Sequence, residues 1–178
     1  FLIHVRLNKR RFQMSIQGQI SEALSWRYAT KKFDTTKQIS DVDWRTLEES
    51  LKLAPSSYGL QPWKFLVVQN KNLRKELRTV TWGQSQVEDA SHYVVITTLK
   101  NLDKNYIERY IEQITNVRGV SLESLSAYKE TMIGNLLNGP RNATIKYWAQ
   151  RQAYIAMGFL METAALLKID AFPSHHRK

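Results

Sequence analysis

The 178-residue chain contains no cysteine, which removes disulfide staples, thiolate metal sites and thiol nucleophiles together. It fits a reducing compartment and predicts a cytoplasmic protein whose redox chemistry, if any, comes from a cofactor. No run approaches the ~20 consecutive apolar residues of a membrane-spanning helix, because Lys, Arg, Glu or Gln interrupts every hydrophobic stretch. Neither a GxGxxG nor a P-loop is present, so a local Rossmann or Walker phosphate cradle is excluded and phosphate would have to be held by side chains. Zinc spacing is missing as well: His4 lies near the start, His92 abuts a strand, His175 and His176 sit in the tail, and no metal is expected. The strained strand-turn-helix elbow of a serine hydrolase is also absent.

What the chain does have is 43% hydrophobic and 11% aromatic residues and a net charge of +10, enough apolar surface for one buried core. Much of the charge is terminal, on Arg6, Lys9, Arg10, Arg11, Arg177 and Lys178. The remainder predicts a solvated surface with some cations near an anionic ligand rather than nucleic-acid binding. Residues 1–13 carry no acid and end in Arg10-Arg11-Phe12-Gln13 before Met14, so they are read as a non-native or disordered leader with Met14 the native start. A basic N-terminal arm is the alternative.

Along the chain, residues 15–28 have helical periodicity, and Ser40 with Asp43 resembles a capping box opening a second helix striped by Trp44, Leu47 and Leu51. Pro55 ends that helix before the turn-rich loop of residues 55–63. A strand is expected over residues 65–69, a polar helix over 71–79, and a β-branched, central strand over 93–99. Helices follow over 103–117, 122–137 and 143–168, the last apolar almost all round from Ala153 to Leu167. Such a helix is buried in a domain or at a subunit interface. The pattern predicts an α+β fold, a mixed sandwich with a small antiparallel sheet flanked by helices.

Two polar clusters could carry chemistry. Arg27, Thr30, Lys31 and Lys32 could grip a phosphate, though such an octet also suits a solvated surface. Ser56, Ser57, Gln61, Gln84 and Gln86 offer neutral donors and acceptors for the heteroatom edge of a planar ring, or ordinary turn chemistry. Trp63 and Trp82 could stack on a ring or pack a core.

The segments Arg27-Tyr28-Ala29-Thr30-Lys31-Lys32-Phe33-Asp34 and Ala54-Pro55-Ser56-Ser57-Tyr58-Gly59-Leu60-Gln61-Pro62-Trp63 resemble the FMN-dependent nitroreductase family, nearest its oxygen-insensitive NAD(P)H nitroreductase and dihydropteridine reductase branch. Gly83-Gln84-Ser85-Gln86 leading to Asp89-Ala90-Ser91-His92, Ala149-Gln150-Arg151-Gln152 through Gly158-Phe159-Leu160, and Lys168-Ile169-Asp170-Ala171-Phe172-Pro173 continue the match in order. The resemblance implies a homodimer with two FMN sites at the subunit interface and the long helix in the dimer core. Cofactor contacts would come from Arg27, Tyr28, Ala29, Lys31, Gly83, Gln86 and Pro173 of one chain and Pro55, Ser56, Ser57 and Gly59 of the other. Arg27 would hold the phosphate and ribityl region. Lys31 would lie near the pyrimidine edge and the nicotinamide, as the first candidate for electrostatic catalysis. The implied reaction is ping-pong, with hydride from NADH or NADPH to flavin N5 and then electrons to a nitroaromatic, quinone or similar small acceptor.

The chain departs from the family pattern at Gly59 and Gly83, where close relatives often carry Asn, at Ala29, where many place Ser, and at Gln86, where some carry Lys. After Pro173 the family continues with a Glu-Gly motif, a last strand and a basic segment. Residues 174–178 do not match, which predicts a frameshift or premature stop with that strand missing, and residues 14–173 as an incomplete FMN domain. A flavin oxidoreductase and a truncated dimerisation fragment that no longer binds FMN therefore stand as alternatives, with nucleic-acid binding by the basic ends ranked last.

Overall fold

The computed structural model describes residues 14–174; the leader at residues 1–13, His175, His176 and the basic pair Arg177 and Lys178 lie outside the described residues. Seven helices and two strands follow in the order α1 (Ile16–Trp26), α2 (Asp41–Lys52), β1 (Trp63–Val67), α3 (Lys71–Val80), α4 (Gln86–Asp89), β2 (Val94–Thr98), α5 (Lys104–Arg118), α6 (Ser126–Leu136) and α7 (Ile145–Leu166). This is the expected α+β arrangement.

Local chemistry accounts for most boundaries. Ser15, Ser40, Asn70 and Asp103 cap α1, α2, α3 and α5, each accepting from a backbone N–H two or three residues on. Ser40 Oγ also donates to Asp43 Oδ2 at 2.7 Å, closing the pair read as a capping box. Gly119, at φ 64°, ends α5 in the left-handed conformation. The helix α2 ends at Lys52, before Ala54, because a residue preceding proline is pushed out of the helical region.

β1 and β2 pair antiparallel, with Phe65 opposite Ile96. β1 begins two residues earlier than expected: Trp63 is drawn in by burial, while Asn70 is claimed as the cap of α3. Among the described residues β2 pairs with β1 alone, so it is not the interior strand its β-branched composition suggested. Composition reports burial rather than the number of neighbours, and β2 owes its half-burial to α7 packed across it.

α7 is the spine, packing on α1, α2 and both strands. On one side Leu51, Ala54, Trp63 and Ala156 form a small core with Phe65, Val94 and Leu160 at its rim. On the other, Ile107, Ile111, Ile114, Met132, Ile133 and Leu136 of α5 and α6 close on Leu60, Trp148 and Ala149. The alanines of α7 face inward, whereas Tyr154, Ile155, Phe159 and Leu166 remain 40% to 53% exposed. On α1, Ile16, Ile20 and Leu24 repeat at helical spacing and are exposed too. None of the described helices is long and apolar enough to cross a membrane.

Candidate functional site

The extended segment after α1 forms the first wall. Thr30 is 3% exposed; its hydroxyl donates to Asp170 Oδ1 at 2.8 Å, and its carbonyl accepts from Gln86 Nε2 at 3.3 Å. Ser174 Oγ donates to Gln84 Oε1 at 2.8 Å. Three stretches far apart in sequence, around residues 30, 84–86 and 170–174, are thereby tied into one cluster. Arg27 and Ala29 are half-buried beside it, and Tyr28, Lys31 and Lys32 are exposed. Arg27, Lys31 and Lys32 form no ion pair among the described residues, which leaves three cations for an external anion. Asp34, at the end of the segment, accepts from both the hydroxyl and the amide of Thr36; these bonds hold its carboxyl below the usual range.

Trp82 and Gly83 turn the chain into α4 through two left-handed residues, at φ 54° and 70°. Arg78 holds that turn, donating to the Gly83 carbonyl at 2.9 Å and pairing with Glu88 at 2.9 Å. Nothing lies within 4 Å of where a Gly83 Cβ would stand, so the space over this glycine is open. Trp82 is 60% exposed and free to stack on a ligand, whereas Trp63, the other stacking candidate, is core.

A cavity of about 860 Å³ opens beneath this cluster, between α2, β2, α7 and the strap of residues 169–174. Gln86 and Pro173 line it, with Tyr154, Met157 and Phe172 among its apolar groups. At one end Trp44 stacks on His92, ring centroids 4.0 Å apart and 16° from parallel, so Trp44 is half-buried against a ring rather than part of the aliphatic stripe. Burial, reinforced by the nearby Arg74 guanidinium, holds the His92 imidazole below its ordinary pKa. Arg74 itself is 7% exposed and donates to the carbonyls of Val68, Ala90 and Ser91. A buried cation without a carboxylate partner is tolerated here because three carbonyl dipoles converge on it.

The second polar cluster is divided: Gln84 and Gln86 join the wall at Thr30 and Ser174, while Ser56, Ser57 and Gln61 share a loop that, like Arg27 and Lys31, does not line the cavity. The loop is nevertheless built with care. Ser57 N–H donates to Oε1 of the buried Gln152 at 2.8 Å, Ser56 Oγ accepts from Gln61 N–H at 2.8 Å, and Gln61 Nε2 donates to the Lys52 carbonyl at 2.8 Å. Tyr58, Gly59 and Gln61 all have positive φ, strained for the two residues with a Cβ. Such a loop keeps one shape because its surroundings over-determine it.

Sequence reasoning missed Asp170 as the anchor of Thr30, Arg74 as a buried staple, and Gln152 as the acceptor for Ser57. Arg74 sat in a helix read only as polar. Asp170 and Gln152 lay within quoted motifs, but nothing in the one-dimensional pattern named their partners.

Comparison with known proteins identifies the family and the fold. The family model described as Nitroreductase family matches residues 24–178. Two relatives bear the name Putative NAD(P)H nitroreductase: YfkO of Bacillus subtilis is 40% identical over 164 residues, covering 89% of this chain and 74% of its own, and SSP0379 of Staphylococcus saprophyticus is 37% identical over 161 residues with the same coverages. The chain thus spans about three quarters of the length of these relatives. Among solved structures, an Exiguobacterium sibiricum protein described as a putative nitroreductase in complex with FMN superimposes with a TM-score of 0.72 at 23% identity, over 89% of this chain and 75% of that one. The enone reductase CLA-ER gives 0.69 at 20% identity, over 86% and 73%. With motifs, fold and sequence similarity running together from α1 to the strap, the chain belongs to the nitroreductase family.

Proposed function

We propose that this protein is an FMN-dependent oxidoreductase that passes electrons from NADH or NADPH to small acceptors such as nitroaromatics or quinones. The observation that carries the reading is the convergence on Thr30 of the 27–34 segment, Gln86 and Asp170, in a wall whose Arg27 and Lys31 pair with no carboxylate among the described residues. The donor set suits a flavin mononucleotide. Guanidinium and ammonium groups answer a phosphate and an electron-rich ring edge, and the amides of Gln84 and Gln86 answer ring heteroatoms. The FMN present in the Exiguobacterium neighbour supports the same assignment.

Arg27 holds the phosphate and ribityl region, with Tyr28, Ala29 and Pro173 at its margin and Gly83 and Gln86 toward the ring. Lys31 supplies positive charge where the reduced ring becomes anionic, the electrostatic contribution expected of preorganised groups in such a site. FMN held by these residues would supply the two-electron, ping-pong chemistry between the nicotinamide and the acceptor. No side-chain nucleophile or general base is required.

Pro55, Ser56, Ser57 and Gly59 come from a second copy of the chain. The exposed apolar residues of α1 and α7, an unusual surface for a monomer, support this. The reading is tested by titrating the purified protein with FMN, following the visible absorbance, and adding NADH under nitrogen. A bound-flavin spectrum that bleaches supports it; a folded protein that leaves FMN free in solution refutes it.

A further inference from the structure

The loop at residues 55–62 is held by phenols that the flavin reading leaves unused. Tyr110 of α5 and Tyr128 of α6 both donate to one acceptor, the Tyr58 carbonyl, at 2.7 and 2.9 Å, and Tyr106 donates to the Leu60 carbonyl at 2.9 Å. The carbonyl they hold belongs to Tyr58, at φ 60°, followed by Gly59 at φ 69°. A side chain takes that conformation only when its surroundings fix it. Burial raises the Tyr110 pKa, so its hydroxyl keeps its proton and remains a donor.

Position 59 is tied to the same hydroxyl. A Cβ added to Gly59 would overlap Tyr110 Oη, whereas the ring carbon Cζ lies at 3.5 Å, an ordinary contact. The obstacle is one oxygen atom. Asparagine is among the side chains that best tolerate a left-handed φ, so at φ 69° the phenol adds a steric cost to the backbone one.

We propose that Tyr110 and Gly59 are a matched pair that sets the shape of the cofactor loop: the phenol oxygen fills the volume a residue-59 side chain needs and pins the Tyr58 carbonyl. Tyr110 is then a positioning residue for Ser56 and Ser57, which meet bound flavin in one conformation. This rests on the flavin reading above.

The test is a double-mutant cycle on the full chain with Gly59→Asn, Tyr110→Phe and the double variant, read by FMN affinity from flavin fluorescence and by thermal melting without flavin. Tyr110→Phe removes one of two donors and keeps the ring, so it weakens FMN binding about threefold. Gly59→Asn weakens it about tenfold or more when Tyr110 is present, and clearly less in the Tyr110→Phe background, because the steric part of the cost is gone and only the backbone part remains. Such rescue by a second substitution is not produced by two independent structural defects. If the parent chain binds FMN and Gly59→Asn costs the same in both backgrounds, the pairing is overturned and the flavin reading stands. If the cycle couples in melting but not in FMN affinity, the pair is packing only and the positioning role is overturned. If the parent chain binds no FMN, the flavin reading fails and the proposal falls with it.

Discussion

Thr30 Oγ1 and Asp170 Oδ1 lie 2.8 Å apart across 140 residues of sequence, and this bond joins the segment that carries Arg27 and Lys31 to the strap after α7. Thr30 is buried while Asp170 is exposed, so the two partners respond differently to mutation. Thr30→Val keeps the shape and leaves Asp170 to water, costing about 0.5–1.5 kcal/mol. Asp170→Ala strands a buried hydroxyl and costs about 1–3 kcal/mol. Urea unfolding gives the order directly, and equal costs for the two would show that Thr30 is not dependent on this partner.

Arg74 is the staple beneath the cavity. Arg74→Met removes the donor of three backbone carbonyls and is expected to destabilise by about 1–3 kcal/mol for each acceptor left buried without a partner. Arg74→Lys keeps the charge but lacks the planar fork that reaches three acceptors, so it recovers only part of the loss. Full recovery by lysine in a denaturant titration would mean that charge alone matters there.

His92 gives the stability a pH dependence whose sign follows from its surroundings. Burial, then Arg74, disfavour its protonated form, against weaker opposing influences from Glu48 and Asp41. Because its pKa in the fold lies below the ordinary 6.5, the unfolded chain binds more protons there. Stability contributed by neutral His92 is therefore complete above about pH 6.5 and is lost as pH falls below it. His92→Gln should flatten the unfolding free energy between about pH 6.5 and 5 relative to the parent chain. An unchanged difference across that range would show that the ring titrates as freely in the fold as outside it.

For the proposed cofactor role, Arg27→Ala should weaken FMN binding by about tenfold to a hundredfold, the worth of a charge-assisted bond. Lys31→Gln should act more on the rate of flavin bleaching by NADH than on FMN affinity. A variant pair with the two effects exchanged would reassign the phosphate to Lys31.

The proposed pairing of two chains through α1 and α7 is checked by Phe159→Asp, at a position 44% exposed in one chain. A buried unpaired charge at the contact should drive the protein to monomers in sedimentation velocity and abolish FMN binding with it. Retention of the dimer would move the contact elsewhere.

How far the sequence could be read depended on the range of the interaction. Capping by Ser40 and Asp103, the break before Pro55 and the helical stripes through Ile107 and Ile111 are contacts within a few residues, and the sequence displays them as spacing. Arg27 and Gln86 were legible as polar groups of suitable chemistry, and Gly83 only as part of a motif resembling a family. The polar helix that hides Arg74 looked like surface, since a cation satisfied by carbonyls has the same one-dimensional signature as one satisfied by water. β2 looked interior because β-branched composition records that a strand is covered, and not by what.

The sequence by itself thus determined the order of the longer helices and several of their caps, that the chemistry does not rest on cysteine, and that its motifs follow the nitroreductase order. The tertiary structure alone decided that Thr30 meets Asp170 and Gln86, that the Tyr110 phenol lies where a Gly59 side chain would stand, and that Gln152 takes the Ser57 amide. The physical reason is that hydrogen bonds and steric exclusion act over about 3–4 Å, and only the packing of α5, α6 and α7 brings residues separated by 50 to 140 positions within that reach.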